Sequence, residues 1–138
     1  MSIDLDNSTF FPPDLRKVDC FVHFETTGSC LIECKTTYIK RAISQFEICL
    51  KYLREHWNDF LSAEDLPNDT PFPHKFILYL ERGLSREKYS YELERNTRRL
   101  KVRGNGYHKV LGHAFIEVYT RRDIENMTKN LDRFGSVG

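Results

Sequence analysis

A chain of 138 residues can hold one compact domain with a hydrophobic core and is too short for two ordinary ones. Apolar residues make up 40% of it and charged residues 30%, with only seven Gly and five Pro, which excludes a disordered or fibrous chain. The formal net charge of +1 neither demands nor excludes a polyanionic partner, so any nucleic-acid signal must lie in how the charges are distributed.

Residues 1–17 begin polar and acidic and then reach Phe10-Phe11-Pro12-Pro13. They predict a short, flexible lead-in with a strand over 8–11, since each Pro disfavours helix before it. This start lacks the basic-then-apolar pattern of a secretory leader, and no window approaches the roughly 18 apolar residues that cross a bilayer. The expectation is a cytoplasmic protein, nuclear if the source has a nucleus, with no membrane partner. The four cysteines, at 20, 30, 34 and 49, make no Cys-x-x-Cys pair and no zinc-finger pattern, so buried, reduced thiols are expected.

Val18 to Glu25 alternates in polarity, Ser29 to Lys35 alternates again, and Thr26-Thr27-Gly28 lies between, which predicts a β-hairpin whose turn ends on a left-handed Gly. Residues 37–61 carry Ile39, Ile43, Phe46, Leu50, Leu53, Trp57 and Phe60 at steps of three and four, the repeat of one long amphipathic helix. A loop over 63–74 leads to a buried strand from Lys75 to Leu80. Ser85 is placed to cap a second helix running to about residue 97 or 102, although Gly104-Asn105-Gly106 suits a turn between two strands equally well. Val110 to Tyr119 predicts another strand, and Thr120 with Asp123 opens a last helix carrying Ile124, Met127 and Leu131 on one side. The order predicts a single α/β domain over 1–138, a mixed central β-sheet flanked by helices, with some parallel pairing in its second half.

A turn through Thr26-Thr27-Gly28 pairs residues whose numbers sum to 54, setting Phe21 against Glu33 and Asp19 against Lys35. Asp19, Glu33, Lys35 and His23 then share one face, while Cys20, Val22, Phe24, Cys30, Ile32 and Cys34 take the other. Two carboxylates can hold Mg²⁺ or Mn²⁺, the ion can activate a water and neutralise phosphoryl charge, and the lysine can orient or deprotonate that water. The plainer reading is a pair of surface salt bridges on an exposed hairpin.

The stretch from Lys17-Val-Asp19 through Gly28-Ser-Cys-Leu-Ile-Glu-Cys-Lys35 resembles the active-site hairpin of the PD-(D/E)xK nuclease superfamily, in which an Asp precedes an apolar strand ending in (D/E)-x-K. The resemblance covers residues 17–53 by motif and 75–80 as the expected next strand. It implies a restriction-endonuclease-like core and a Mg²⁺- or Mn²⁺-dependent endo- or exonuclease that hydrolyses phosphodiester bonds, with DNA favoured over RNA. Asp19 and Glu33 would be the metal ligands and Lys35 the residue that positions water. As in the RecB-like and resolvase-like branches, Gln45 and Tyr52 on the following helix would face the site. Such proteins usually begin with a helix bearing a Glu that joins the metal; here Asp4, Asp6 or Asp14 would have to replace it, and Pro13-Asp14 makes Asp14 a second choice behind Asp19 for the first ligand. The alternative that the short start leaves open is a catalytically inactive nucleic-acid-binding or assembly subunit of the same fold, and a homodimer or larger complex is a possible state of either.

From Arg95 to Lys109 the chain carries six Lys or Arg and no acid. Arg95, Arg98, Arg99, Lys101, Arg103 and Lys109 are candidates for contacts to phosphates, and Tyr107, beside Gly104-Asn105-Gly106, for stacking on a base. Lys40, Arg41, Lys51 and Arg54 flank the apolar stripe of the long helix, where cationic side chains commonly extend to solvent over apolar stems.

Overall fold

In the computed structural model, which describes residues 1–24, 28–35, 39–81 and 91–126, the two alternating stretches form antiparallel strands β2 (Cys20–Phe24) and β3 (Gly28–Lys35). Cys20 pairs with Ile32 and Phe24 with Gly28, so paired numbers sum to 52 rather than the predicted 54. The slip is two residues. Because side chains alternate with period two, an even slip keeps every residue on its predicted face, whereas a slip of one would have exchanged the faces. Gly28 belongs to the strand, with φ of 87°; Thr26 and Thr27 lie outside the described residues.

The lead-in is part of the sheet. Strand β1 (Ser2–Asp4) pairs antiparallel with β2, Leu5–Asn7 forms a 3-10 turn, and the strand predicted over 8–11 is a loop. Beyond β3 come α1 (Ile39–Glu55), α2 (Trp57–Ala63) and β4 (Lys75–Leu80). The single helix predicted over 37–61 therefore breaks, at His56 (φ −130°, ψ 30°). The break lets Trp57 and Phe60 turn onto Phe21, at ring-centroid distances of 6.0 and 5.5 Å.

Residues 91–102, predicted as helix, instead form β5 (Tyr91–Leu93) and β6 (Leu100–Val102), an antiparallel pair. Glu94 drives the turn between them: its carboxylate accepts the backbone N–H groups of Asn96 and Thr97 and the Thr97 hydroxyl, and Arg98 takes φ of 59°. Such local side-chain bonds compete with helix. Ser85 lies outside the described residues. Gly104-Asn105-Gly106 joins β6 to β7 (Gly106–Tyr107), the strand alternative above. The strand predicted over 110–119 shortens to β8 (Ile116–Thr120), because a loop through Gly112 (φ 77°) occupies its first half. Residues 121–126 are helical, and Thr120 and Asp123 cap that helix reciprocally; Met127 and Leu131 lie outside the described residues.

The result is a mixed α/β fold. A five-stranded sheet has the order β1-β2-β3-β4-β8, with β3-β4 and β4-β8 parallel and the other pairs antiparallel. The small sheet β5-β6-β7 hooks onto its β8 edge, where the Arg98 carbonyl accepts the Val118 N–H at 2.7 Å and Arg99 stands opposite Glu117. Helix α1 buries Ile39, Ala42, Ile43, Phe46, Cys49, Leu50 and Leu53 against the sheet face that carries Phe21, Leu31, Phe76, Leu78 and Val118. Fully burying each of the Ile, Leu, Val and Phe side chains among them contributes about 1.5–3 kcal/mol. No helix among the described residues is long and apolar enough to cross a membrane.

Candidate functional site

The face packed on α1 is the one that carries Asp19, Glu33 and Lys35. Glu33 is therefore not a surface residue: its side chain is 1% exposed. In the observed register Asp19 comes level with Glu33, one residue before β2 begins. The Asp19 Oδ2 accepts the backbone N–H of Cys34 at 2.7 Å, and the Lys35 Nζ stands 3.8 Å from Glu33 Oε1. The group lies toward the carboxyl end of β3, where ligands of open α/β sheets commonly bind.

The lead-in adds a third acid. The Leu5 N–H bonds the Asp19 carbonyl at 2.9 Å, which brings Asp6 beside Asp19. Asp4 is occupied as the cap of the 3-10 turn, accepting from the Asp6 N–H and the Asn7 side-chain amide. Asp14 sits in an exposed turn after Pro13, outside the cluster. Of the three acids offered by the short start, Asp6 is the one that reaches the site.

Three carboxyl groups beside one ammonium repel one another. Burial first, and then the Asp19 carboxyl, push the Glu33 carboxyl up to about 8, with Lys35 pulling the other way. Burial and Asp19 also raise Asp6. Glu33 Oε2 is buried and has no hydrogen-bond partner among the described residues. The group requires a proton or a cation. Its oxygen donors suit a hard ion such as Mg²⁺ or Mn²⁺, and the thiols of Cys20 and Cys34, on the opposite face, are not part of it. Among the described residues, however, no three His, Cys, Asp or Glu side chains already surround a common point as a finished cation site would. Asp19 and Glu33 instead stand as neighbouring acids, and Asp19 adds to the rise of the Glu33 carboxyl.

Helix α1 fixes the approach to Asp19. Gln45 Nε2 donates to the Lys17 carbonyl at 2.9 Å, and the buried Cys49 thiol, which burial raises to about 11, has the Val18 backbone beside it. Gln45 thus positions the segment before Asp19, and Cys49, one helical turn on, shares the task, a role its sequence position did not reveal. Tyr52 does not face the carboxylates. Its ring packs against His56 at 4.5 Å, Phe10 at 5.5 Å and Phe11 at 5.6 Å. His23 shares the predicted face but lies four residues along β2, near the turn, with Nδ1 3.3 Å from the Ser29 hydroxyl. Of the cysteines, Cys30 and Cys49 are buried as expected, Cys20 is half-buried and Cys34 exposed.

The basic segment stands apart. Glu33, Leu78 and Val118 are in register on neighbouring strands and Arg98 lies beside Val118, so even Arg98 is three strand spacings from Glu33, about 14 Å. Arg98 forms a 2.7 Å ion pair with Asp123, and Lys101 pairs with Glu92 at 3.8 Å. Arg99 lies over the Phe115 ring at 4.5 Å and Lys109 at 5.8 Å, with Tyr107 edge-on to the same ring. Arg95, Arg103 and Tyr107 are exposed. The four cations of α1, at 40, 41, 51 and 54, are exposed, and Arg54 lies over Phe72 at 5.4 Å. No protein-family model, curated protein or solved structure matches this chain.

Proposed function

We propose that the chain is a metal-dependent nuclease of PD-(D/E)xK type, with a restriction-endonuclease-like core, that hydrolyses phosphodiester bonds, DNA foremost. The observation that carries this reading is the buried Glu33, with one oxygen unpaired, gathered with Asp19, Asp6 and Lys35 at the carboxyl end of a strand that is parallel to its neighbour. Asp19 and Glu33 are the residues that would hold Mg²⁺ or Mn²⁺, with Asp6 at the solvent rim in the place of the superfamily's first-helix Glu. Bound there, the ion supplies charge neutralisation at the phosphoryl group and a more acidic water. Lys35, 22% exposed and 3.8 Å from Glu33, is placed to orient that water. Gln45 and Cys49 hold the strand entry so that Asp19 stays opposite Glu33. The test is a melting curve with and without Mn²⁺: the ion raises the melting temperature of the wild type and leaves Glu33→Ala unmoved, while no shift in the wild type counts against the reading.

The distance of the basic segment from the carboxyl groups favours a second reading, a nucleic-acid-binding or assembly subunit without catalysis. It predicts binding to DNA with no cleavage in either ion.

A further inference from the structure

On the sheet face away from α1, where β4 and β8 begin, lies an open cleft of about 290 Å³. Its walls include His74, Lys75, Arg99, His113, Phe115 and Glu117. Of these only Arg99 belonged to the basic segment singled out in the sequence. We propose that this cleft binds the terminal phosphate monoester of a nucleotide or of a nucleic-acid strand.

Arg99 is the centre of the argument. Its guanidinium lies 4.5 Å over Phe115 and 5.9 Å from the Tyr107 centroid, and it has no carboxylate partner among the described residues. Stacking holds the planar fork in place and leaves its N–H donors available, the arrangement that suits a phosphate. Lys75 differs, since Glu117 neutralises it at 3.4 Å. The fixed positive charge of the cleft therefore comes from Arg99, and the two imidazoles add ring nitrogens that can hydrogen-bond a phosphate oxygen. A monoester end offers up to two charges and three free oxygens to such a set, whereas a diester within a strand offers one charge.

The fold seats the imidazoles rather than leaving them to chance. The His74 N–H bonds the Ser29 carbonyl at 3.2 Å, and its ring lies on Gly28, where a Cβ would collide with the His74 Cε1. His113 is presented by the loop that the Val110 N–H closes onto the Ala114 carbonyl at 3.1 Å. Tyr107, 37% exposed and 5.7 Å from Phe115, offers a surface on which a base can stack. None of these groups is shared with Asp19 and Glu33, which lie on the opposite face, so the proposal does not rest on the nuclease reading.

The test is fluorescence anisotropy in EDTA, which prevents any cleavage, with a short labelled DNA strand carrying a 5′ phosphate, a 3′ phosphate or hydroxyls at both ends, and AMP as competitor. One phosphorylated form is expected to bind at least about ten-fold more tightly than the hydroxyl form. Arg99→Ala and, separately, His113→Ala abolish that advantage. His113 is exposed, so its variant keeps the wild-type melting temperature. Arg103→Ala, on the exposed turn outside the cleft, and Glu33→Gln keep the advantage. AMP that competes on equal terms identifies a free nucleotide as the ligand, and AMP that competes poorly identifies a strand end. Equal binding of all three strands, or an advantage that survives both Arg99→Ala and His113→Ala, overturns the proposal.

Discussion

The Asp19 carboxylate accepts the backbone N–H of Cys34 at 2.7 Å, which ties the first acid of the site to the strand that carries Glu33 and Lys35. Two substitutions separate that tie from chemistry. Asp19→Asn keeps an acceptor for Cys34 and is expected to fold normally while losing metal-dependent stabilisation. Asp19→Ala removes the acceptor for the Cys34 N–H and is expected to cost a further 0.5–1.5 kcal/mol or so in urea unfolding. Equal stability of the two variants would contradict the tie.

Glu33 makes stability depend on pH. Its carboxyl titrates near 4.5 when unperturbed and near 8 in the fold, so between those values the native state holds a proton that the unfolded chain has released. Stability therefore falls as pH rises from about 4.5 to about 8 and levels off above that. Glu33→Gln removes this contribution. Its melting temperature is expected to approach or exceed that of the wild type at pH 8 in EDTA, and parallel curves for the two proteins from pH 5 to 9 would refute the assignment.

Gln45 and Tyr52 are expected to behave differently although both were predicted to face the site. Gln45→Ala frees the Lys17 carbonyl and lets the entry to Asp19 shift, so it weakens Mn²⁺ stabilisation, and Gln45→Asn, one methylene shorter, does not restore it. Tyr52→Phe keeps the ring packing and is expected to lie within about 0.5 kcal/mol of wild type, whereas Tyr52→Ala costs about 3 kcal/mol. Loss of Mn²⁺ stabilisation in Tyr52→Phe would place its hydroxyl at the site after all.

The salt dependence of DNA binding should sort the basic segment. Arg103→Ala is expected to lower the slope of log affinity against log salt by about 1, because Arg103 is exposed and has no carboxylate partner among the described residues. Arg98→Ala breaks the pair with Asp123 and should cost about 0.5–1 kcal/mol of stability with little change in slope. The reverse pattern would show that Arg98 meets phosphate.

What was legible in the sequence followed from periodicity. Alternation put Asp19, Glu33 and Lys35 on one face, and a two-residue slip in register could not disturb that. The slip itself was not legible, since both registers satisfy the same pattern. The role of Asp6 depends on residues 2–4 pairing with β2, where the His23 N–H bonds the Met1 carbonyl at 3.0 Å, a contact between segments that no local rule reveals. Residues 91–102 read as helix because a helix capped at Ser85 was extended through them, past Glu94. Its carboxylate instead builds a turn, and the outcome was set by β6 docking on β8. Arg98 read as a phosphate contact because its partner, Asp123, lies 25 residues further along the chain.

The central claim is that Lys35 serves a catalytic carboxylate cluster. It is tested most directly by cleavage of labelled single-stranded, double-stranded and branched DNA, in Mg²⁺ and in Mn²⁺, by the wild type and by Lys35→Ala. Metal-dependent cleavage of at least one substrate, reduced about 10²-fold or more in Lys35→Ala at unchanged melting temperature, is the predicted result. No cleavage of any substrate in either ion, or equal cleavage by both proteins, would contradict it.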